Sequence, residues 1–112
     1  MVRSEQFLSR VPRDTEGIEA ILDRRDKPAF DREWQQAYDR VGRIDVGSAQ
    51  IEIDTIRELA FRASFAKAES ADLAGYVCDD FELIVRCRLV GGQDPFVERL
   101  WSAYGTGELP CT

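Results

Sequence analysis

Asp79, Asp80 and Glu82 fall within four consecutive positions, and hard cations such as magnesium are held by carboxylate oxygens gathered in this way. On a helix, however, Asp79 and Asp80 diverge by about 100°. No second acidic motif of the same kind occurs, and the nearest acids, Glu69 and Asp72, lie further back along the chain. The spacing predicts instead a solvated polar face on which Glu82 and Arg86 form an i, i+4 ion pair, with no metal and no other cofactor.

The chain contains no histidine, which removes the commonest general base and the commonest metal ligand. Hydrolases built on a histidine beside serine, cysteine or zinc are excluded. A catalytic role would fall on groups such as Glu58, Glu69, Tyr38, Tyr76 and Tyr104, or on the two lysines, Lys27 and Lys67, and no spacing brings any two of them together. There is no P-loop, no dinucleotide glycine fingerprint and no nucleophile elbow. No catalytic residue is therefore assigned, and a non-enzymatic role is expected. Cys78, Cys87 and Cys111 are an odd number without C-x-x-C spacing. They point to reduced thiols in a cytoplasmic protein rather than to a disulfide framework or a zinc site.

The clustered carboxylates belong to a stretch, Ala71 to Val90, whose apolar residues cover most of a helical cylinder. At about 100° per residue, Leu73, Tyr76, Val77, Phe81, Leu83, Ile84, Val85, Cys87, Leu89 and Val90 sweep roughly 260° of it, the pattern of a buried helix. One narrow polar line remains: Asp72, Gly75, Asp79, Glu82 and Arg86. Its charged members, Asp72, Asp79, Glu82 and Arg86, are the expected partner-binding residues. Asp80 and Arg88 project into the apolar arc, where an unpaired charge is costly. Asp80 is expected to form a buried charge pair with an arginine of a neighbouring helix, Arg57 or Arg62. Asp79 with Glu82 also matches a capping box that would split the segment at Cys78, but a single helix is the reading adopted.

The rest of the chain supplies helices to cover this rod. Residues 2 to 13, with Phe7, Leu8 and Val11 at helical spacing before Pro12, read as a short helix or arm. Asp14 or Thr15 caps a helix to about Arg25 with a stripe of Ile18, Ile21 and Leu22, and Arg24 to Lys27 form its solvated end. Pro28 opens a second helix carrying Phe30, Trp34, Ala37, Tyr38 and Val41 on one face, and Gly42 ends it. After the short linker Arg43 to Gly47, Ser48 or Thr55 opens a third helix to about Ala68. Ile56, Leu59, Ala60, Ala63 and Ala66 form one side of it and Phe61, Phe65 and Ala68 another, so this helix is expected between layers. Gly91 and Gly92 stop the central helix, and Asp94-Pro95 starts a last one with Phe96, Val97, Leu100, Trp101 and Tyr104. The predicted fold is all-α, a compact bundle of about five helices around a buried helix at 71–90, forming one domain over 1–112.

Charge narrows the partner. Residues 1 to 43 hold nine basic and nine acidic side chains, and residues 44 to 112 hold six and twelve, so the second part carries the whole net charge of −6. Phosphate backbones and anionic membranes need a basic surface, and no apolar run reaches the roughly 20 residues of a membrane span. Nucleic acid and membrane are therefore excluded as partners. What remains is a non-enzymatic interaction protein, a small acidic bacterial inhibitor of the immunity or antitoxin kind that binds a basic protein such as a toxin. Two alternatives stay open. One is a small-molecule binder or carboxylate-dependent enzyme with a pocket lined by Trp34, Tyr76 and Trp101 over Asp80; the other is a homo-oligomeric subunit joined through Phe61 and Phe65.

Overall fold

A computed structural model describes residues 7–42 and 47–111. Among them are five α-helices and no strand: α1 Thr15–Arg25, α2 Pro28–Ala37, α3 Gln50–Ala68, α4 Ala71–Leu89 and α5 Pro95–Gly105. The all-α bundle expected from the sequence is the fold observed. No helix among the described residues is long and apolar enough to cross a membrane. Most of the linker and the start of the N-terminal arm, residues 43–46 and 2–6, lie outside the described residues.

α4 is one continuous helix, and its length comes from local signals at both ends. Ser70, extended, accepts a hydrogen bond from the Leu73 amide at 3.2 Å, while Val90 closes the last turn ahead of Gly91 at φ 67°. Leu73, Ala74, Val77, Cys78, Asp80, Leu83, Ile84 and Cys87 are buried, each large apolar side chain contributing about 1.5–3 kcal/mol. The apolar arc is less complete than expected: Leu89 and Val90, past the reach of the neighbouring helices, are exposed. Arg88 is exposed too, and needs no buried acid because its guanidinium lies 5.1 Å from the Trp101 ring centre.

α3 and α4 form a helical hairpin joined by only Glu69 and Ser70, with Glu69 in the left-handed region at φ 53°. α3 opens after a short turn at Gly47–Ala49, so Thr55 lies inside the helix and its hydroxyl donates to the Ile51 carbonyl at 3.0 Å instead of capping. Nor does α3 lie between layers. It buries a single strip, Ile53, Ala60, Ser64 and Ala68, against α4. That strip runs between the two predicted apolar sides, leaving Leu59, Ala63 and Ala66 exposed on one flank and Phe61 and Phe65 on the other.

α1 starts at Asp14, whose carboxylate accepts from the Gly17 amide at 3.0 Å. Its apolar stripe of Ile18 and Ile21 faces the core. α2 starts at Pro28 and runs into a wider turn over Tyr38–Gly42, with Trp34 and Tyr38 stacked at 5.7 Å. The N-terminal segment buries Phe7, Leu8 and Val11 and is tied to the far end of the chain by a hydrogen bond from the Arg10 amide to the Gly107 carbonyl.

α5 is capped by Asp94, which accepts from the Phe96 and Val97 amides and pairs with Arg40 at 2.7 Å. The Arg40 hydrogen bond is the main cause that holds the Asp94 carboxyl below its ordinary value. Asp94→Ala is expected to lower stability by about 1–2 kcal/mol in urea denaturation. Because the folded-state pKa is the lower one, the contribution of Asp94 is present above about pH 4 and is lost as pH falls through the folded value. Asp94→Asn should therefore flatten the acid limb of stability against pH while keeping part of the cap.

Candidate functional site

Asp80 is completely buried, as its place in the apolar arc requires, but its partner is neither Arg57 nor Arg62. It is Arg25, from the last turn of α1. The guanidinium grips both carboxylate oxygens of Asp80, Nη2 on Oδ1 and Nη1 on Oδ2, the latter at 2.7 Å, and Nη1 also donates to the Pro110 carbonyl at 3.0 Å. Trp34 Nε1 donates to Oδ1 at 2.8 Å and the Tyr104 hydroxyl to Oδ2 at 2.5 Å. Four donors thus fill the acceptor sites of the carboxylate. The Arg25 guanidinium lies between the rings of Phe30 and Tyr76, 4.8 and 4.9 Å from their centres.

Burial opposes the charge on Arg25, but the field and hydrogen bond of Asp80 outweigh it, so the net pKa is raised. Burial, followed by the field of Asp80, pushes the Tyr104 phenol well above its ordinary value. Arg25 is therefore a core residue and not part of a solvated helix end. Arg57 serves another cluster, bridging Asp79 at 3.0 Å and Glu82 at 2.8 Å, while Arg62 pairs with Glu58 at the surface.

These facts divide the polar line of α4. Glu82 and Arg86 form the predicted i, i+4 pair at 2.7 Å, and both are largely covered, with side-chain exposures of 17% and 12%. Arg86 also donates to Gln50 of α3. Asp72 stays exposed and Asp79 half exposed. These two form one wall of a groove of about 600 Å³ between α4 and α1, floored in part by Gly75 and Tyr76. The facing wall is Glu19 and Asp23 of α1 with Asp26 at its C-cap, three acids at i, i+4 and i+7 and so on one face. No cationic side chain lines the groove. Asp26 accepts a hydrogen bond from the Tyr76 hydroxyl, and this bond, with burial second, pushes the phenol up to about 12.

The α1 acids escaped the sequence reading, although their spacing was visible in it; what the sequence does not show is that this row faces Asp72 and Asp79. Of the pocket expected over Asp80, Trp34 and Tyr76 do line a common cavity of about 130 Å³ together with Arg25 and Phe30, while Asp80 itself is fully buried and Trp101 lies elsewhere, against Phe81 and Arg88. Phe61 and Phe65 stack on each other at the surface, 6.3 Å between ring centres. Among the described residues no group of three or more acids and thiols is placed to hold a metal ion.

The family model described as immunity protein PIM1 matches residues 1–111. The chain belongs to the immunity protein PIM1 family. It is accordingly a small immunity protein, the inhibitor class that the sequence reading put first, and membership implies binding to a partner protein such as a toxin. No curated protein matches the chain. In this PIM1-family bundle the acidic groove and the buried pair are one construction, since Arg25 and Asp26 are neighbours on α1: one locks the helix inward and the other faces the groove.

Two measurements test that construction. Asp80→Leu strands Arg25 in the core and is expected to cost about 3–5 kcal/mol in urea denaturation, with part of the loss recovered by Arg25→Met/Asp80→Leu. A single variant as stable as the wild type would contradict the buried pair. In spectroscopic titration, one phenol assigned by Tyr76→Phe should ionise near pH 12. Asp26→Ala should bring it back toward about 10. Because the folded-state pKa is raised, the stabilisation from this bond is complete below about pH 10 and is lost as pH rises through the folded value.

Proposed function

We propose that this immunity protein captures a basic protein partner through the groove between α1 and α4. The observation that carries the reading is the convergence of five carboxylates, Glu19, Asp23, Asp26, Asp72 and Asp79, from two helices onto one groove without a cation in its lining. Lysine and arginine side chains of a toxin are the complement to such a surface. Long-range attraction would speed the encounter and make it sensitive to salt. Of the four residues expected from the sequence to bind the partner, Asp72 and Asp79 border this groove, Asp79 while also paired with Arg57. Glu82 and Arg86 are engaged with Arg57 and Gln50 and act by holding α3 against α4.

Affinity capture with the tagged full-length chain, from the cells that produce it, tests the proposal. The expected result is a basic partner retained by the wild type and lost with Asp23→Lys/Asp72→Lys. With that partner purified, the double reversal should weaken binding by about 100-fold or more, mainly through a slower association rate. Both positions are exposed, so an unchanged circular dichroism spectrum is expected. An acidic partner, or a basic one whose binding ignores the reversal, would overturn the proposal.

A further inference from the structure

The exposed flank of α3 is a second surface, distinct from the acidic groove. Asp79 and Phe81 of α4 are two residues apart and so about 200° apart around the helix; the first borders the acidic groove and the second an apolar one. The apolar groove, about 660 Å³, runs along α3 from Ile56 to Ala66 and is closed on the other side by Phe7 and Phe81. Leu59 stands in it 61% exposed, and Ala63 and Ala66 are exposed beside it. Among the described residues nothing covers these side chains.

We infer that this groove docks an amphipathic helix of a partner protein, one bearing carboxylates beside its apolar stripe. Three properties of the groove select that occupant. Its length, the ten steps of α3 from Ile56 to Ala66 at 1.5 Å each, is about 15 Å, close to three helical turns. The small side chains of Ala63 and Ala66 let a second helix axis approach closely, with Leu59 as a ridge to fill the opposing groove. The charged residues of the lining are Arg13 and Lys67, both cationic in a chain of net charge −6, and neither has an ion-pair partner among the described residues. Cations at the rim call for carboxylates on the occupant. They also count against a second copy pairing with itself through this face, since a two-fold axis would bring Arg13 and Lys67 toward their own like charges.

The inference does not depend on the acidic groove, and the test separates the two. The probes are two fluorescein-labelled peptides of about 14 residues, each carrying leucines at i, i+4 and i+7, one flanked by glutamates and its twin by lysines. Binding to the full-length chain is read by fluorescence anisotropy, with the Asp23→Lys/Asp72→Lys variant as a parallel sample. In the Asp23→Lys/Asp72→Lys variant, whose acidic groove no longer favours lysines, the glutamate peptide should bind at least about tenfold more tightly than its twin, and it should bind the wild type as well. Leu59→Glu should abolish its binding, and Arg13→Glu/Lys67→Glu should reverse the preference in favour of the lysine twin. All of these positions lie at or near the surface, so folded variants are expected. Equal binding of the twins to the Asp23→Lys/Asp72→Lys variant, or binding of the glutamate peptide unaffected by Leu59→Glu, would overturn the inference. So would a sedimentation mass of two chains that Leu59→Glu reduces to one, because the groove would then be occupied by another copy.

Discussion

The pair between Arg25 and Asp80 is the constraint to which the rest of the bundle answers. It gathers α1, α2, α4, α5 and the chain beyond α5 at one point, through Arg25, Trp34, Asp80, Tyr104 and the Pro110 carbonyl. Removing two charges from water is expensive, and only a bidentate contact with every remaining acceptor filled can offset it. Those conditions are met here, and no buried side-chain polar atom among the described residues lacks a hydrogen-bond partner. Such a site tolerates little error in position. A shift of α1 by one residue would move Arg25 by about 100° and leave Asp80 unpaired, so the pair fixes the register of α1 as well as its attachment.

The register of α1 in turn fixes the groove. Glu19, Asp23 and Asp26 face Asp72 and Asp79 because Arg25 is turned inward, and Tyr76 joins the two systems by stacking on Arg25 while donating to Asp26. Like charges gathered in this way repel one another, so the groove weakens the free protein. The buried pair lies directly beneath it and works against that repulsion. Glu82 and Arg86 illustrate the contrast: acids and bases elsewhere along the same helix neutralise one another across α3 and α4. Of the groove acids, Asp79 is paired with Arg57 and Asp26 bonded by Tyr76, while Glu19, Asp23 and Asp72 have no ion-pair partner among the described residues.

Sequence periodicity made much of this legible. α4 appeared as one rod because its apolar arc was broad, and α2 and α5 had their starts written in Pro28 and Asp94-Pro95. Arg25 was misread because arginine at a helix end is ordinarily solvated, yet it falls at i+7 from Ile18 and so continues the stripe of Ile18, Ile21 and Leu22 into the core. Position on the stripe carried more information than residue type. For Asp80, the sequence showed a need for a cation, but the neighbour that supplies it is set by tertiary packing. The two apolar sides of α3 misled for a related reason. Alanine at Ala60 and Ala68 and a self-satisfied Ser64 allow close approach along a strip between them, and that strip, not either larger side, meets α4.

The same arrangement gives partner binding a thermodynamic consequence. The floor of the acidic groove is α4, with eight buried residues, whereas its outer wall is α1, which buries only Ile18, Ile21 and Arg25. Local opening is easiest where apolar contacts are fewest, which puts α1 at the labile end of the molecule. In the proposed complex, a cationic surface seated between the walls would replace repulsion across the groove by attraction on both sides, and would do so only when α1 is docked. Binding through this groove and the docking of α1 would therefore be linked, and such a partner would stabilise the fold by mass action to an extent set by its affinity. The acids that make the free protein less stable are the ones through which the proposed complex would become more so.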